Sequence, residues 1–248
     1  MGLLILAAGS AIDADPFQLL DAAAAAGFDG VGLRLSHGRM LPAADLDRVR
    51  RSADALGLVV HDVEVHRIGE GEDPAPLIEA TARVGAPRLL VVSDLASEEA
   101  TVDALGRVVG LAGASGVEIG LEYMAWTTPR GPADAVRIAS ATGCVIVADV
   151  LHHHRVGAGV AELRALVDSG RLGWIQLCDA PQDAPADLLH EARHARLAPG
   201  SGALPLDELL GVVPAGIVRS VEVQSDAMAA MSPSERAALL AAASQPWR

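Results

Sequence analysis

Three carboxylates and one amide lie at or near the ends of four apolar runs in the second half of the chain. They are Glu122 in VEIGLE, Asp149 in CVIVAD, Gln176 in WIQLCD and Glu222 in VRSVEV. A charge at the end of a buried strand is costly unless something pairs it. Three anionic oxygens and one amide oxygen are a ligand set that a hard divalent cation takes, so a site for Mn²⁺, Mg²⁺ or Co²⁺ is predicted. The all-oxygen set argues against zinc and copper.

His152 follows Asp149 by three residues and is the first of three consecutive histidines. An unperturbed imidazole has a pKa of about 6.5, which suits proton transfer, so His152 is predicted to be the catalytic acid or base. Three consecutive residues at a strand end cannot all face one point. His153 and His154 are therefore predicted to be packed or solvated. Glu122 or Glu222 is the alternative base if its carboxylate binds a metal only loosely.

Five further residues are predicted to line a substrate pocket. Arg196 precedes the turn-like APGSG, and its planar guanidinium suits a carboxylate or enolate oxygen. Arg34 ends the second strand-like run, and Glu64 and Arg67 end the third. An Arg–Glu ion pair that closes the top of the barrel is an equally good interpretation of these rim residues. Trp126 follows Glu122 in a chain with only 2% aromatic residues, and it is either a pocket wall or part of the core.

The elements that must position these residues follow one recurring pattern. A helical segment ends in glycine and a solidly apolar run follows at once, as in AAAAAGFDGVGLRL and IASATGCVIVAD. Glycine ends helices readily, and such runs suit parallel strands that are covered on both faces. The predicted strands lie near 3–8, 29–35, 58–65, 88–94, 117–122, 144–149, 172–178 and 217–224. The predicted helices lie near 16–26, 43–56, 74–85, 97–115, 132–142, 159–169, 186–196 and 232–244.

Eight alternations of strand and helix over 248 residues indicate the α/β class and a single (β/α)8 barrel, in one domain spanning residues 1–248. An open doubly wound sheet is the alternative, but no G-x-G-x-x-G opens a helix after the first strand. In a barrel the active site lies at the carboxyl ends of the strands. Glu122, Asp149, Gln176 and Glu222 would then share one rim, on strands five to eight.

The composition of the chain excludes or disfavours several classes of function. The net charge of −13 disfavours nucleic-acid binding, because the chain repels phosphates. There is no lysine, which excludes a Schiff-base lysine and a P-loop lysine. Two isolated cysteines, no basic leader and no long apolar run predict a cytoplasmic protein without a membrane span. The expected partner is a small-molecule substrate, and the sequence leaves open whether the chain forms a homo-oligomer.

The residues together resemble the sugar phosphate isomerase/epimerase superfamily, the xylose-isomerase-like TIM barrels. That superfamily places Glu, Asp, His and Glu metal ligands on strands five to eight, with Asp-x-x-His on strand six. Glu122, Asp149, His152 and Glu222 match this pattern, whereas Gln176 stands where most members have His.

Bacterial 3-dehydroshikimate dehydratases that use Gln as the strand-seven ligand are similar in three stretches. These are residues 122–126, residues 176–181, and residues 193–196 with the following PGSG. The resemblance implies that His152 is the acid/base and that Arg196 binds substrate. It does not extend to the third strand, where the dehydratases have an aromatic, Arg-containing stretch and this chain has HDVEVHRI.

The shared chemistry would be removal of a proton next to a carbonyl, with a divalent ion stabilising the enolate. Loss of a β-hydroxyl from the enolate makes the enzyme a dehydratase, which is the interpretation that the three similar stretches favour. Reprotonation of the enolate gives a sugar or polyol isomerase or epimerase. A non-catalytic barrel that binds a small molecule is a third alternative.

Overall fold

The structure, a computed structural model, describes residues 2–36, 38–69 and 71–248. Eight parallel strands close into a barrel in which each strand pairs with the next and the eighth pairs with the first. The predicted (β/α)8 barrel is confirmed, and the open doubly wound sheet is wrong. The strands are β1 (Leu4–Leu6), β2 (Gly30–Arg34), β3 (Val59–Ile68), β4 (Arg88–Ser93), β5 (Glu118–Glu122), β6 (Val145–Asp149), β7 (Leu172–Leu177) and β8 (Val218–Val221).

Helices alternate with the strands around the barrel. They are α1 (Pro16–Ala26), α2 (Ala43–Leu56), α3 (Ala75–Arg83), α4 (Glu98–Gly113), α5 (Pro132–Thr142), α6 (Val150–Arg155), α7 (Val160–Asp168), α8 (Leu188–His194), α9 (Leu206–Leu210) and α10 (Pro233–Ser244). Short 3₁₀ turns occupy Ala8–Ala11, Asp226–Met228 and Gln245–Trp247. In the described ranges, no helix combines the length and apolarity needed to cross a membrane.

Local sequence signals explain where the helices begin and end. The Asp15 side chain accepts hydrogen bonds from the first turn of α1, and the side-chain oxygen of Gln18 accepts one from the backbone amide of Asp15, which caps the helix. Gly27, Gly57 and Gly143 end α1, α2 and α5 in the left-handed conformation that glycine adopts without strain. The pattern of glycine followed by an apolar strand is therefore confirmed.

Five details differ from the sequence prediction. β1 is shorter than 3–8, because the chain turns into a 3₁₀ helix at Ala8. β8 stops at Val221, so Glu222 lies just beyond it, whereas β3 continues to Ile68. The segment after Asp149 is the helix α6 and not a strand end, and α9 was not predicted.

The core is aliphatic and lies mainly between the barrel and its helices. A smaller apolar cluster forms the lower wall of the candidate site and includes Val65, Leu90, Val92 and Met124. Cys144 and Cys178 are buried free thiols, as expected for small core residues.

Candidate metal centre and active site

A cavity of about 750 Å³ opens at the carboxyl ends of the strands. The predicted site residues that line it are Arg34, Glu64, Arg67, Glu122, Trp126, His152, Gln176, Arg196 and Glu222. Asp149 is fully buried behind this lining, in contact with residues that form it. The structure therefore brings the sequence-predicted residues together at one end of the barrel.

Strand pairing sets the height of each predicted ligand. Asp149 on β6 pairs with Gln176 on β7, and Gln176 pairs with Ser220 on β8. Glu222 lies two residues beyond Ser220 and therefore faces the same side of the sheet, one step nearer the rim. Glu122 is the last residue of β5. The four residues thus come from four consecutive strands at neighbouring levels.

Both carboxylate oxygens of Asp149 already have partners. Oδ1 accepts hydrogen bonds from the backbone amides of Leu151 at 2.8 Å and His152 at 3.1 Å, which caps α6. Oδ2 accepts a 2.6 Å hydrogen bond from Nη1 of Arg196. A cation that binds Asp149 would therefore share a carboxylate that already accepts three hydrogen bonds.

Arg196 is a wall of the cavity whose guanidinium is held by protein groups. Nε donates to the carbonyl of Ala192 at 2.7 Å, and Nη1 donates to the carbonyl of Glu222 at 3.2 Å. Nη1 also lies 3.6 Å from Oε2 of Glu222. The side chain is 2% exposed. Its predicted role in binding substrate stays a prediction, because the structure shows only these internal partners.

His152 projects from α6 toward Glu122 and Arg196. Its Nε2 lies 3.8 Å from Oε1 of Glu122 and 3.3 Å from Nη2 of Arg196. Since a guanidinium can only donate, Nε2 accepts and the proton of the neutral ring is on Nδ1. Burial lowers the pKa of His152 to about 4, against the opposing effect of Asp149. His152 is therefore a neutral imidazole at pH 7, with its lone pair at the cavity.

The other two histidines face elsewhere. Nε2 of His153 lies 2.9 Å from the carbonyl of Gly159, which it can only reach as a donor, so Nδ1 accepts the Tyr123 hydroxyl at 2.7 Å. His153 and Tyr123 are both buried, whereas His154 is partly exposed. His153 is thus a packing residue, as predicted, and Tyr123 belongs to the core.

Crowding of carboxylates shifts their pKa values. Burial, reinforced by Glu222 and Asp149, raises the pKa of Glu122 well above its usual range. Burial also raises the pKa of Glu222 to about 7, with Arg196 opposing and Glu64 and Asp149 adding. Burial acts in the same direction on Asp149, but Arg196 holds that pKa below its ordinary value. Glu122 and Glu222 are therefore the carboxylates that lack adequate compensation by positive charge.

A divalent cation fits this arrangement on three observations. Ligand atoms of Glu122, Asp149 and His152 lie within 4.8 Å of one another. The buried Oε1 of Gln176 has no hydrogen-bond partner among the described residues, which leaves it free to serve as a ligand. At Gly9, an added Cβ would collide with Oε1 of Glu222, so this glycine leaves room for the carboxylate. His152 was predicted to be an acid/base, and its closeness to Glu122 and Asp149, two of the carboxylates predicted to be ligands, was not foreseen.

The opposite side of the cavity carries paired charges. Nη2 of Arg34 donates to Oε2 of Glu64 at 2.6 Å, which is the ion pair that the sequence left as an alternative to pocket lining. Both residues line the cavity as well. Arg67 makes two hydrogen bonds to Asp94, at 2.9 and 2.7 Å. Trp126 also lines the cavity, with its ring edge-on to His152 at 5.2 Å between centroids.

Two polar neighbours of the site were missed in the sequence. Asp62 is 3% exposed, and burial together with Glu64 raises its pKa well above the ordinary value. Nε2 of Gln224 donates to Oε1 of Glu222 at 3.1 Å. Each lies two residues from a predicted site residue, so the two-residue period of a strand was the signal that pointed to them.

Residues 20–241 match the family described as xylose isomerase-like TIM barrel. The chain belongs to this family. Among curated proteins, no sequence matches this member.

Solved structures share the fold of this xylose isomerase-like barrel at low identity. One is a xylose isomerase-like TIM barrel/4-hydroxyphenylpyruvate dioxygenase fusion protein (TM-score 0.79, 23% identity), of which 41% matches 96% of this chain. Another is the IOLI protein with a bound zinc atom (TM-score 0.81, 17% identity), aligned over 98% of both chains. A third is D-psicose 3-epimerase with D-tagatose from Clostridium cellulolyticum H10 (TM-score 0.76, 14% identity), which covers 99% of this chain and 98% of its own. The chain spans less than half of the fusion protein and nearly all of the other two.

Proposed function

We propose that this protein is a divalent-metal-dependent enzyme that removes a proton next to the carbonyl of a small polyhydroxylated substrate. The observation that carries the proposal is the meeting of Glu122, Gln176 and Glu222 with a neutral His152 at one cavity, with Asp149 directly behind its lining. A cavity of about 750 Å³ has the size of a small-molecule site. The net charge of −13 supports a small-molecule partner rather than nucleic acid.

The four rim residues would hold the cation. Around the predicted ligands, four carboxylates (Glu64, Glu122, Asp149 and Glu222) lie near two guanidiniums (Arg34 and Arg196), so when all are ionised this group of six side chains has a surplus of two negative charges. A bound divalent cation would match this surplus and supply stabilisation of the negative charge on an enolate oxygen.

Proton transfer falls to this chain's own side chains. His152 would take the proton at Nε2, which is unprotonated and lies at the cavity, once that lone pair exchanges its 3.3 Å contact with Nη2 of Arg196 for the substrate. A carboxyl group with a raised pKa can hold a proton near neutral pH and return it. Glu122 and Glu222 have this property in the metal-free protein. Because a carboxylate that coordinates a dication tightly stays ionised, only one that binds the metal loosely would serve a leaving hydroxyl or the reprotonated carbon.

A dehydratase of the 3-dehydroshikimate type is the outcome that we favour. Its support is the resemblance of three sequence stretches, above all Gln176 in place of the usual histidine and Arg196 before the PGSG turn. Arg196 lies at the cavity wall, where a carboxylated substrate would meet a cation.

An isomerase or epimerase that acts on a sugar or polyol is the second candidate. Its support is the fold shared with D-psicose 3-epimerase along nearly the whole chain. Arg34, Arg67 and Arg196 each pair with a carboxylate of the protein, an arrangement that suits a neutral polyol as well as an acid.

The deciding experiment measures metal content in wild type, Glu222→Gln and Glu118→Gln. Glu118 is the matched control, because it lies at the opposite end of β5 and pairs there with Arg88. We expect about one Mn, Mg or Co per chain in wild type and in the control, and a loss in Glu222→Gln. No metal in wild type after addition of Mn²⁺ would overturn the metal-dependent mechanism and leave a small-molecule-binding barrel.

Substrate assays on the metal-loaded protein separate the two outcomes. Turnover of 3-dehydroshikimate without turnover of ketoses supports the dehydratase. Epimerisation or isomerisation of ketoses without dehydration supports the second candidate.

A further inference from the structure

The connection from β7 to α9 forms one wall of the cavity, and Asp179 anchors it. Oδ2 of Asp179 accepts hydrogen bonds from the amides of Gly200 at 3.0 Å and Gly202 at 2.9 Å. Oδ1 accepts from Ala180 at 2.8 Å and Leu204 at 3.0 Å. A carboxylate with four backbone donors ties both ends of this long connection together.

The middle of the same connection is attached to neighbouring elements. Asp179 and Leu197 exchange two backbone hydrogen bonds of 2.8 Å each. The amide of Arg196 donates to the carbonyl of Gln224, in the segment after β8, at 3.1 Å. These hydrogen bonds attach the connection to the end of β7 and to the segment after β8.

A buried ion pair joins α8, within this wall, to α6. Nε and Nη2 of Arg155 donate to the two carboxylate oxygens of Glu191, each at 2.7 Å. The side chains are 2% and 4% exposed. Arg155 also donates to the carbonyls of Pro181 at 2.7 Å and Gln182 at 3.2 Å. One guanidinium therefore holds both the helix and the segment that leads to it.

The two helices joined in this way position the two facing groups of the site. α6 is capped by Asp149 and bears His152. α8 ends two residues before Arg196 and provides the carbonyl of Ala192, which fixes the guanidinium of Arg196. On the cavity side, Arg196 and His152 meet at 3.3 Å.

We propose that Arg155 and Glu191 are positioning residues, whose ion pair sets the contact of Arg196 with His152 and Asp149. A buried ion pair contributes little net stability compared with apolar residues of similar volume, so its location between two site-bearing helices points to positioning. The expected effect of this ion pair on kcat rests on the proposed function, whereas its effect on the contact between Arg196 and His152 does not.

The test compares three variants with wild type. Glu191→Gln removes one charge and keeps the shape of the side chain. The double variant Arg155→Met/Glu191→Leu removes both charges and leaves none uncompensated. Glu98→Gln is the matched control, since Glu98 forms a bidentate pair with Arg137 that is exposed and lies between α4 and α5.

For the metal-loaded enzyme we expect kcat to fall about 100-fold in Glu191→Gln and in the double variant, because small misplacements of reacting groups are this costly. Metal content should stay near the wild-type value, KM should rise as well if Arg196 binds a substrate carboxylate, and Glu98→Gln should change nothing. The ¹⁵N signals of the His152 ring should shift in both site variants, because Nε2 loses its fixed donor.

A folded double variant with wild-type kcat and wild-type His152 signals would overturn the inference. If neither site variant folds, the ion pair is structural and the inference is equally wrong. If wild type binds no metal and turns over no substrate, the proposed function has failed, and the His152 signals of the metal-free proteins then decide the inference alone.

Discussion

The two sides of the barrel mouth carry similar charged residues, but they differ in how the carboxylates are paired with arginines. On β2 and β3, Arg34 and Glu64 form a 2.6 Å ion pair, and Arg67 pairs with Asp94 just beyond β4. On the side of β5 to β8, Asp149 and Glu222 share the guanidinium of Arg196. Apart from the buried Asp62 on β3, whose pKa is also raised, the first side pairs its charges within the chain, and the second does not.

This difference separates two tasks. Balanced ion pairs line a pocket without attracting a cation. Crowded carboxylates with raised pKa values, beside an amide oxygen without a partner among the described residues, need an external positive charge. Position on the rim is therefore not enough to identify a ligand, and the partners of each carboxylate must be considered as well.

The largest expected effect is a difference in metal binding and activity between variants of two glutamates on opposite sides of the barrel mouth. Glu122→Gln should lose the bound metal and at least about 1000-fold in kcat/KM, because the charge stabilisation from the cation is worth several kcal/mol. Glu64→Gln should keep the metal, since Arg34 already compensates Glu64. Metal analysis beside steady-state kinetics measures both, and equal metal loss in the two variants would remove the distinction between the sides.

His152→Ala should lower kcat by about 10²- to 10⁴-fold, the usual contribution of a general acid or base, and leave the metal in place. His154→Ala is the control, because His154 is a neighbour on α6 that does not line the cavity. Metal loss in His152→Ala would instead make His152 a ligand, in line with its closeness to Glu122 and Asp149.

The pH dependence of stability sharpens the comparison further. The pKa of Glu222 is about 7 in the folded protein, against an ordinary value of 4.5. The folded state then binds more protons than the unfolded state between these values, so this group makes metal-free protein less stable as pH rises from 4.5 to 7. His152, with its pKa lowered to about 4, acts oppositely and costs stability as pH falls below 6.5.

Without metal, the Tm of Glu222→Gln should therefore rise relative to the Tm of wild type as pH increases from 4.5 to 7. Above pH 7 the difference in Tm should stay constant. A gain of several degrees is expected, because each kcal/mol shifts the Tm of a protein of this size by roughly 2–4 °C. Calorimetry at a series of pH values measures it. A difference that stays constant with pH would show that Glu222 has an ordinary pKa.

The smallest effect is expected on the balanced side. Arg67→Gln breaks a partly exposed pair and should cost about 1 kcal/mol or less in stability, with no loss of metal. If the substrate carries a carboxylate, KM should rise several-fold, since a cation lining the cavity is lost. An unchanged KM would favour a neutral sugar or polyol.

The sequence predicts the barrel well because its strands are solidly apolar and its helices end in glycine. Glu122, Asp149, Gln176 and Glu222 were placed on one rim for the same reason, since the carboxyl ends of parallel strands must meet. These features depend on local patterns that each segment carries by itself.

Long-range partners could not be predicted in this way. The contact of Arg196 with Asp149 spans 47 residues and depends on how the wall after β7 folds back. The helix α6 was missed because Val150–Arg155 is short and its cap, Asp149, had already been interpreted as the end of a strand. The ion pair of Arg34 with Glu64 was one of two equal interpretations, and only the strand register decided it.

The edge-on contact of Trp126 with His152 also gives the molecule a built-in optical probe. The chain has three tryptophans, and Trp174 is fully buried in the barrel, whereas Trp247 lies near the C-terminus with its indole nitrogen donating to Asp207. Replacement of Trp174 and Trp247 by phenylalanine would leave one emitter at the cavity. Its fluorescence would then report the arrival of a cation or a substrate in real time, without an attached dye.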